Sequence, residues 1–402
     1  MTEKGSVTGF LALERNVITI SISGSIATGF NAVWMPFVPL FMSGFLRLGP
    51  MLIAGLYTAM SLTAAVFMII SGRASNRLGR KPTIILARCL LVLAPLFLLL
   101  SISANAYIAL PAMVLLGAGM GLGGPAASTL LTESVKAEKR GTALMVATRV
   151  FPSLPPIATS IVGGLLTAQG AFAFTYLLGT VGLATMLIVE LIGLRETLRP
   201  EMEKPAQKME SGKSKSTLRP RDQFIIILSI AYALDSVSTQ AISWYIPLYV
   251  TSLGYTAFLV GIMGSVLGAA VAVSALIGGK ITDKIGRYQA IIISWGGLVP
   301  MLVLFTITQN YYLLLVTYAL WVSFDLIDMA APIAWISDRT EPKERALKIS
   351  FFQSVSSFAS IIGPTIGGLM LLLSSQGPFL FKMVAQLIAL ILIVVLVRRK
   401  RS

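Results

Sequence analysis

The fold of this chain is decided by a stretch that occurs twice. The first copy reads Gly72-Arg-Ala-Ser-Asn76-Arg77-Leu-Gly79-Arg80-Lys81. The second copy lies 207 residues further on and reads Gly279-Lys-Ile-Thr-Asp283-Lys284-Ile-Gly286-Arg287. Each copy joins two long apolar segments, so the chain is predicted to consist of two halves of similar design.

Three further landmarks return at nearly the same offset. Each half has a proline between aromatic residues, an acidic residue seven positions before an arginine, and a run of glycines. In the first half these are Pro39, Glu133 with Arg140, and Gly163-Gly164. In the second half they are Pro247, Asp338 with Arg345, and Gly363-Pro364-Thr-Ile-Gly367-Gly368.

The composition is that of a membrane protein. The 402 residues are 55% hydrophobic and only 12% charged, whereas a soluble chain carries about 25% charged residues. Apolar runs of about 20 residues, the length that crosses a bilayer as a helix, recur throughout. The single cysteine excludes an internal disulfide and a cysteine-based metal cage, and without histidine any proton handling must use carboxylates.

We predict an all-α membrane protein with twelve transmembrane helices in two pseudo-symmetric six-helix bundles. The spans are placed at 16–44, 51–72, 82–102, 106–133, 141–168, 172–194, 223–250, 256–279, 289–308, 311–337, 346–373 and 378–397. The one long polar stretch, 195–222, is predicted to be a cytoplasmic linker. It separates an N-terminal bundle, 1–194, from a C-terminal bundle, 223–402.

The basic residues predict the orientation of these spans. Of the 32 Lys and Arg residues, 28 fall in the N-terminal segment, the C-terminal segment and the loops on the same side of the membrane. The positive-inside rule places this side, with both termini, in the cytoplasm. The net charge of +15 is therefore a topology signal, and nucleic acid is not expected as a partner.

The repeated loop resembles the signature loop of the major facilitator superfamily, Gly-x-x-x-Asp-Arg-x-Gly-Arg-Lys. The run that begins at Gly363 resembles a motif of that family's antiporters, where it belongs to the fifth span. The resemblance covers the whole chain. It implies the major facilitator fold, in which two bundles rock about a central cavity, and it is closest to the drug:proton antiporters.

The sequence departs from the family pattern at three places. Asn76 stands where the signature loop has an acid. Met113 stands where the span-four motif of proton antiporters begins with an arginine. Thr159 and Ser160, rather than Gly-Pro, precede the glycine pair of the fifth span.

The resemblance also implies a gate at the cytoplasmic face. Arg80 is expected to pair with Glu133, and Arg287 with Asp338, and these pairs would brace the outward-open conformation. Gly72 and Gly279 are expected to allow close helix approach. The other gating positions of the motifs are Asn76, Arg77, Gly79, Asp283, Gly363 and Pro364. Simple anchoring of the loops at the membrane surface is the alternative.

Acidic residues within spans are the best guide to chemistry. Inserting one into the centre of a membrane costs about 2.5–3.5 kcal/mol, so such a residue is a candidate for a functional role. Asp235 lies near the middle of span seven, and Asp325 and Asp328 near the middle of span ten. The last two are three residues apart and so share a helix face. In the family these spans line the cavity, so the three acids are expected to bind a proton, a cationic substrate, or both. A structural hydrogen-bonding role is the alternative.

Other residues within spans are weaker candidates. Arg149 could bind an anion, pair with an acid or extend to the surface. Arg88 and Lys382 are expected to extend towards the headgroups, and Glu190 to be interfacial. Residues that could contact substrate, although each is more often a packing residue, are Asn31, Trp34, Gln240, Tyr245 and Trp321.

Two enzyme-like features are discounted. The run Gly119-x-Gly121-x-x-Gly124 fits a dinucleotide fingerprint, but inside an apolar span small residues indicate helix packing. The sequence has no Walker loop and so indicates no ATP-driven pump. An intramembrane aspartyl protease is a remote alternative.

The favoured function is proton-coupled efflux of lipophilic or drug-like compounds by a secondary active transporter. The proton gradient would supply the energy, and no cofactor is expected. The alternative is proton-coupled uptake of a metabolite or organic anion, which Arg149 would favour. We expect a monomer in the cell membrane whose partners are a small-molecule substrate and the lipid bilayer.

Overall fold

The computed structural model describes residues 14–135, 144–198, 223–329 and 331–398, with only the backbone given at 146, 275–284, 342, 343, 346 and 398. The described residues form twelve successive helical segments. Their bounds are α1 Arg15–Phe45, α2 Pro50–Leu78, α3 Arg80–Ser103, α4 Ala106–Glu133, α5 Ala147–Ser153 with Pro156–Ala168, α6 Phe172–Gly193, α7 Gln223–Ser243 with Ile246–Ser252, α8 Ala257–Ile285, α9 Arg287–Ile307, α10 Tyr311–Asp325 with Ala331–Asp338, α11 Pro342–Leu373 and α12 Gly377–Arg398.

These helices confirm the predicted all-α membrane fold. Among the described residues, ten helices are long and apolar enough to cross a membrane, and the bent pair that forms α5 makes an eleventh. The exception is α10, which consists of one helix of 15 residues and one of 8. Residues 141–143 of the fifth predicted span and 199–222 of the predicted linker lie outside the described residues.

Prolines explain why several helices are interrupted. A proline has no N–H, and its ring collides with the carbonyl four residues earlier in a regular helix. The repeated prolines Pro39 and Pro247 follow breaks in α1 and α7, and Pro332 follows the break in α10. The carbonyl of Asp328 instead accepts a hydrogen bond from the Ala331 N–H at 2.9 Å.

The break in α10 corrects one prediction. Asp325 is the last residue of the first helix of α10, and Asp328 lies in the turn that follows. The two residues therefore do not share the face of a regular helix, as their spacing suggested. Pro332 is the physical reason, because it prevents the helix from continuing past Asp328.

The helices pack as two bundles of six. In the first bundle the main contacts join α2 to α4, α3 to α4, α1 to α6 and α3 to α6. In the second they join α7 to α11, α7 to α12, α9 to α10 and α9 to α12. The bundles meet along two seams, α5 against α8 and α2 against α11. We call the end with the Gly79 and Gly286 turns the basic face and the opposite end the far face.

Glycines let α2 and α4 approach closely. A Cβ placed on Gly117 would lie 2.2 Å from the Met60 carbonyl oxygen, and one on Gly121 would lie 2.1 Å from the Ala64 carbonyl oxygen. By contrast, a Cβ on Gly124 would have no heavy atom within 4 Å. The glycine run of α4 therefore serves helix packing, as its position within an apolar span indicated.

This contact gives a stability prediction. Gly117→Ala and Gly121→Ala should each destabilise the protein by about 1–3 kcal/mol, because the new methyl group would press on the backbone of α2. Gly124→Ala is the matched control and should keep or slightly raise stability. Thermal unfolding of the purified variants, followed by size-exclusion chromatography, measures the effect. Equal melting temperatures for all three variants would contradict the packing account.

Candidate functional site

The two turns of the repeated loop have the same geometry. Gly79 lies between α2 and α3 with φ of 103°, and Gly286 lies between α8 and α9 with φ of 101°. Residues with a Cβ rarely adopt this conformation, which explains why both copies of the loop have glycine at this position. The backbone of each turn brings an arginine, Arg80 or Arg287, to the start of the next helix.

Arg80 is the centre of a polar cluster at the basic face. Its Nη2 lies 2.9 Å from Glu133 Oε1. Its Nη1 donates to Asn76 Oδ1 at 2.6 Å and to the Ser75 carbonyl oxygen at 2.9 Å. In the other bundle, Arg287 Nε lies 3.6 Å from Asp338 Oδ2. The structure thus contains both expected ion pairs, while their role in gating stays a prediction.

Glu196 belongs to the same cluster, although the sequence analysis assigned it only to the linker. Its carboxylate accepts hydrogen bonds from the backbone N–H groups of Arg80 and Lys81, at the first turn of α3, at 3.0 and 2.9 Å. The N–H groups of Thr197 and Leu198 also donate to it. Partial burial alone would raise the pKa of Glu196, but these four hydrogen bonds lower it below its usual value.

Several other motif positions make no such contact. Gly72 is exposed, and a Cβ there would have no heavy atom within 4 Å. The expected close helix approach at Gly72 is therefore wrong for this conformation, because no helix among the described residues packs against α2 at that residue. Arg77 is exposed. Gly279 and Asp283 lie in α8, but their side chains are outside the described residues.

A cavity of about 750 Å³ lies between the bundles in the half nearest the basic face. One wall is formed by α2 and α4, and the opposite wall by α7, α10 and α11. Asp235, Asp325 and Asp328 all line it, so the structure brings the three predicted acids together. Met68, Met120 and Met329 give the same cavity apolar, deformable walls.

The three carboxylates have different partners. Asp235 Oδ1 lies 2.6 Å from Lys382 Nζ. Asp328 accepts hydrogen bonds from Tyr232 Oη at 2.6 Å and from Ser294 Oγ at 2.8 Å. Asp325 lies close enough to Asp235 and Lys382 to interact with both electrostatically.

Three charged residues that were predicted to lie near the membrane surface are paired inside the bundles instead. Lys382 does not extend to the headgroups, because its side chain is only 1% exposed and pairs with Asp235. Arg88 and Glu190 are not surface residues either, since Arg88 Nε lies 2.8 Å from a Glu190 carboxylate that is 1% exposed. Ser23 also donates to Glu190, at 2.8 Å. Each of these three charges has a partner, as the cost of an isolated charge in hydrocarbon requires.

A second cavity, of about 390 Å³, lies nearer the far face between α1, α7, α8 and α10. Its lining is mostly apolar and includes Met35, Trp244, Met263 and Tyr318. Asn31 also lines it and is the one predicted substrate residue from α1 that reaches a described cavity.

The other substrate candidates lie elsewhere. Trp34 is fully buried against Tyr176 in the core of the first bundle, and Tyr245 is buried with its hydroxyl donating to the Pro364 carbonyl oxygen at 3.0 Å. These two expectations are wrong for this conformation, because both rings fill helix contacts. Arg149 is exposed in a π-helical turn of α5 and lines neither cavity.

The remaining two substrate candidates and the glycine run of α11 also serve packing. Trp321 is buried in the core of the second bundle. A Cβ on Gly363 would lie 2.5 Å from the Gln240 Cβ, so Gly363 holds α11 against α7. A Cβ on Gly368 would lie 2.4 Å from the Ala54 Cβ, so Gly368 holds α11 against α2.

The bundles are closed against each other in the half nearest the far face. The rings of Tyr57 and Trp244 stack with centroids 4.5 Å apart. The hydroxyl oxygens of Thr58 in α2 and Thr365 in α11 are 2.7 Å apart. A Cβ on Gly164 would lie 2.7 Å from the Ala257 carbonyl oxygen across the other seam. The described conformation is therefore closed at the far face and has its acidic cavity towards the basic face.

Comparison with known proteins adds the family context. The family model described as Major Facilitator Superfamily matches residues 20–327 and 228–402. The multidrug resistance protein MdtG of Proteus mirabilis (strain HI4320) is 27% identical over 350 residues, which are 84% of each chain. The multi-drug resistance efflux pump PmrA of Streptococcus pneumoniae serotype 4 is 26% identical over 296 residues, 69% of each chain.

Solved structures show the same fold at low identity. A D-xylose-proton symporter aligns with a TM-score of 0.75 and 12% identity, covering 94% of this chain and 96% of that one. The nucleoside transporter NupG aligns with a TM-score of 0.74 and 12% identity, covering 96% of this chain and 99% of that one. These similarities establish the fold alone.

Glu196 gives a prediction about pH. Because folding lowers the pKa of Glu196, its carboxylate stabilises the fold above the ordinary glutamate pKa of about 4.3, and this contribution is lost as the pH falls through the lowered pKa. Glu196→Gln should therefore lower the melting temperature at neutral pH, and the difference from wild type should shrink on acidification.

The matched control for this prediction is Glu14→Gln, since Glu14 precedes α1 but makes no side-chain capping bond. The control should show little difference from wild type at any pH. Thermal unfolding across a pH series provides the measurement. A Glu196→Gln deficit that does not change with pH would contradict the assignment of the carboxylate as a cap of α3.

Proposed function

Because the chain belongs to the major facilitator superfamily, a family of secondary transporters, we propose that it exports a lipophilic, cationic compound in exchange for protons. The observation that carries this proposal is the convergence of Asp235, Asp325 and Asp328 on one cavity with methionine walls. Acids in a cavity attract a cation, and methionines offer apolar surface that adapts to different shapes.

Exchange follows from competition at these acids. Carboxylates held close together cannot all be ionised at low cost, so the cavity favours binding of either a proton or a cationic group. A cation that enters from one side displaces a proton, and a proton that enters from the other side displaces the cation. The printed names of the relatives, a multidrug resistance protein and a multi-drug resistance efflux pump, support export of drug-like compounds.

Alternating access would move this cavity between the two sides. In the proposed orientation the basic face is cytoplasmic, together with both termini, and the described conformation receives substrate from the cytoplasm. The bundles 1–194 and 223–402, joined by the linker 195–222, would rock about the central cavity. Rocking would open the Tyr57–Trp244 stack and bring the basic-face ends of α2 and α11 together.

The energies involved are suited to a reversible switch. An aromatic pair contributes about 0.5–1.5 kcal/mol and a hydrogen bond about 0.5–1.5 kcal/mol. A two-state equilibrium is shifted by a few kcal/mol, so a small number of such contacts is enough to bias it. The pairs of Arg80 with Glu133 and Arg287 with Asp338 are formed in the described conformation and each lies within one bundle, so they do not supply the opposing bias at the basic face.

The remaining features of the proposal follow from this mechanism. The proton gradient across the cell membrane supplies the energy, and no cofactor takes part. The substrate and the lipid bilayer are the partners, and a monomer contains the whole pathway.

The second candidate function is proton-coupled uptake of a metabolite or organic anion. It depends on Arg149, which lines neither described cavity, and is therefore less supported.

Transport by purified protein tests the proposal. In proteoliposomes with an imposed pH gradient, wild type should move tetraphenylphosphonium against its gradient and leave salicylate unmoved. Asp325→Asn should reduce both this gradient-driven movement and the exchange of unlabelled for labelled cation by about tenfold or more, because it removes a carboxylate for which the proton and the cation compete.

Two comparisons complete this experiment. Glu344→Gln is the control for removing a carboxylate, because Glu344 is exposed and pairs with Lys348 away from the cavity. The Glu344→Gln variant should transport tetraphenylphosphonium as the wild type does. Full gradient-driven activity in Asp235→Asn, Asp325→Asn and Asp328→Asn alike would overturn the proposal, and movement of salicylate instead of the cation would favour the uptake alternative.

A cross-link tests alternating access separately. Thr58→Cys and Thr365→Cys, combined in a Cys89→Ala background, place two thiols where the hydroxyls are 2.7 Å apart. Oxidation should join α2 to α11 at the far face and stop transport, and a reductant should restore it. Each single cysteine variant serves as the control. Undiminished transport by the fully cross-linked protein would contradict opening at this seam.

A further inference from the structure

Lys382 is an unusual neighbour for the acidic cavity. It lies on α12, which contributes no residue among those that line the cavity, yet its ammonium group reaches Asp235 at 2.6 Å and Thr239 Oγ1 at 2.8 Å. The Lys382 side chain is 1% exposed, whereas that of Asp235 is 19% exposed and borders the cavity. The lysine is thus enclosed in the second bundle, behind the acid that it neutralises.

The charges around the cavity can be counted from these contacts. The titratable groups that face Asp325 are Asp235 and Tyr232 of α7, Asp328 of α10 and Lys382 of α12. One ammonium group therefore stands against three carboxylates. Lys382 is committed to Asp235.

The other two acids differ in their hydrogen bonds. Asp328 is held by the hydroxyls of Tyr232 and Ser294. For Asp325, no hydrogen-bond donor and no ion-pair distance is found in the described parts of the chain. Asp325 is therefore the carboxylate of this cluster that is left to bind an incoming cation.

We propose that Lys382 is an internal counter-cation that neutralises Asp235, so that Asp325 alone exchanges the proton for the transported cation. This inference deepens the proposed export function and rests on it for the identity of the cargo. Lys382 acts through Asp235 and is a specificity-determining residue: with its charge in place, Asp235 is not open to an exchangeable positive charge.

The physical consequences differ between single and double variants. Lys382→Gln would leave a buried Asp235 without a counter-charge, and such a group takes up a proton or a second cation. Asp235→Asn would leave a buried ammonium group beside Asp325, which would then be neutralised by Lys382 and closed to the substrate. Asp235→Asn with Lys382→Gln removes both charges and should restore the exchange at Asp325.

Infrared difference spectroscopy tests the assignment without any substrate. On acidification, the wild type should gain a C=O stretching band of a protonated carboxylic acid from the cavity that is absent from Asp325→Asn. Lys382→Gln should gain a further band that the wild type lacks, and the double variant Asp235→Asn/Lys382→Gln should show the wild-type bands only. A band that survives in Asp325→Asn and disappears in the double variant would overturn the proposal, as would a Lys382→Gln spectrum identical to wild type.

Transport provides the second readout. Tetraphenylphosphonium movement driven by a pH gradient should fall by about tenfold or more in Asp235→Asn, as expected from an uncompensated buried charge, and recover in the double variant. A double variant as inactive as Asp235→Asn would overturn the proposal. If the wild type moves no tetraphenylphosphonium while the infrared pattern holds, the export function fails and the role of Lys382 stands.

The control is a second buried ion pair, Arg88 with Glu190. Arg88→Gln/Glu190→Gln removes an equally buried pair from the first bundle, away from the acidic cavity. It should leave the infrared bands of the cavity unchanged. Changed bands in this control would overturn the assignment of the bands to Asp325 and Asp235, because the bands would then report general loosening of the fold.

Discussion

A charge buried in a membrane protein must find a counter-charge within the protein, and this constraint organises the molecule. An unpaired charge in the hydrocarbon region costs several kcal/mol, so each one either has a partner or lies at a cavity. Arg88 and Glu190 form such a pair in the first bundle, and Asp235 and Lys382 form one in the second. Asp325 borders the cavity between the bundles, which leaves room for a counter-charge that arrives from outside.

The shape of the molecule places these charges. Small residues bring the helices of each bundle together, as Gly117 and Gly121 show in α4. Prolines follow the breaks in α1, α7 and α10, and the break before Pro332 puts Asp328 in a turn beside the acidic cavity. Packing and helix breaks together leave one half closed and the other half open to an acidic space. A transporter of this family can use such an arrangement to admit a solute from one side only.

The fold and the basic-face pairs could be predicted from the sequence because their signals are local. Apolar length, the repeated loop and the positions of Arg80 and Glu133 depend on spacing and on a family motif. The partners of Lys382 and Arg88 could not be predicted in this way, because Asp235 lies 147 residues from Lys382 and Glu190 lies 102 residues from Arg88. An apolar span also does not reveal which of its aromatic residues faces a cavity. Trp34 and Tyr245 proved to fill helix contacts, and Trp244, beside Tyr245, lines the far-face cavity.

In the proposed exchange, a cation and a proton compete for the same carboxylate. Proton release measures this competition most directly. Purified protein in a weakly buffered solution with a pH indicator is mixed with tetraphenylphosphonium, and cation binding is measured in the same sample. A proton should be released as each cation binds, and this release should disappear at high pH, where the carboxylate is already ionised. Cation binding without proton release at any pH would contradict competition for one carboxylate.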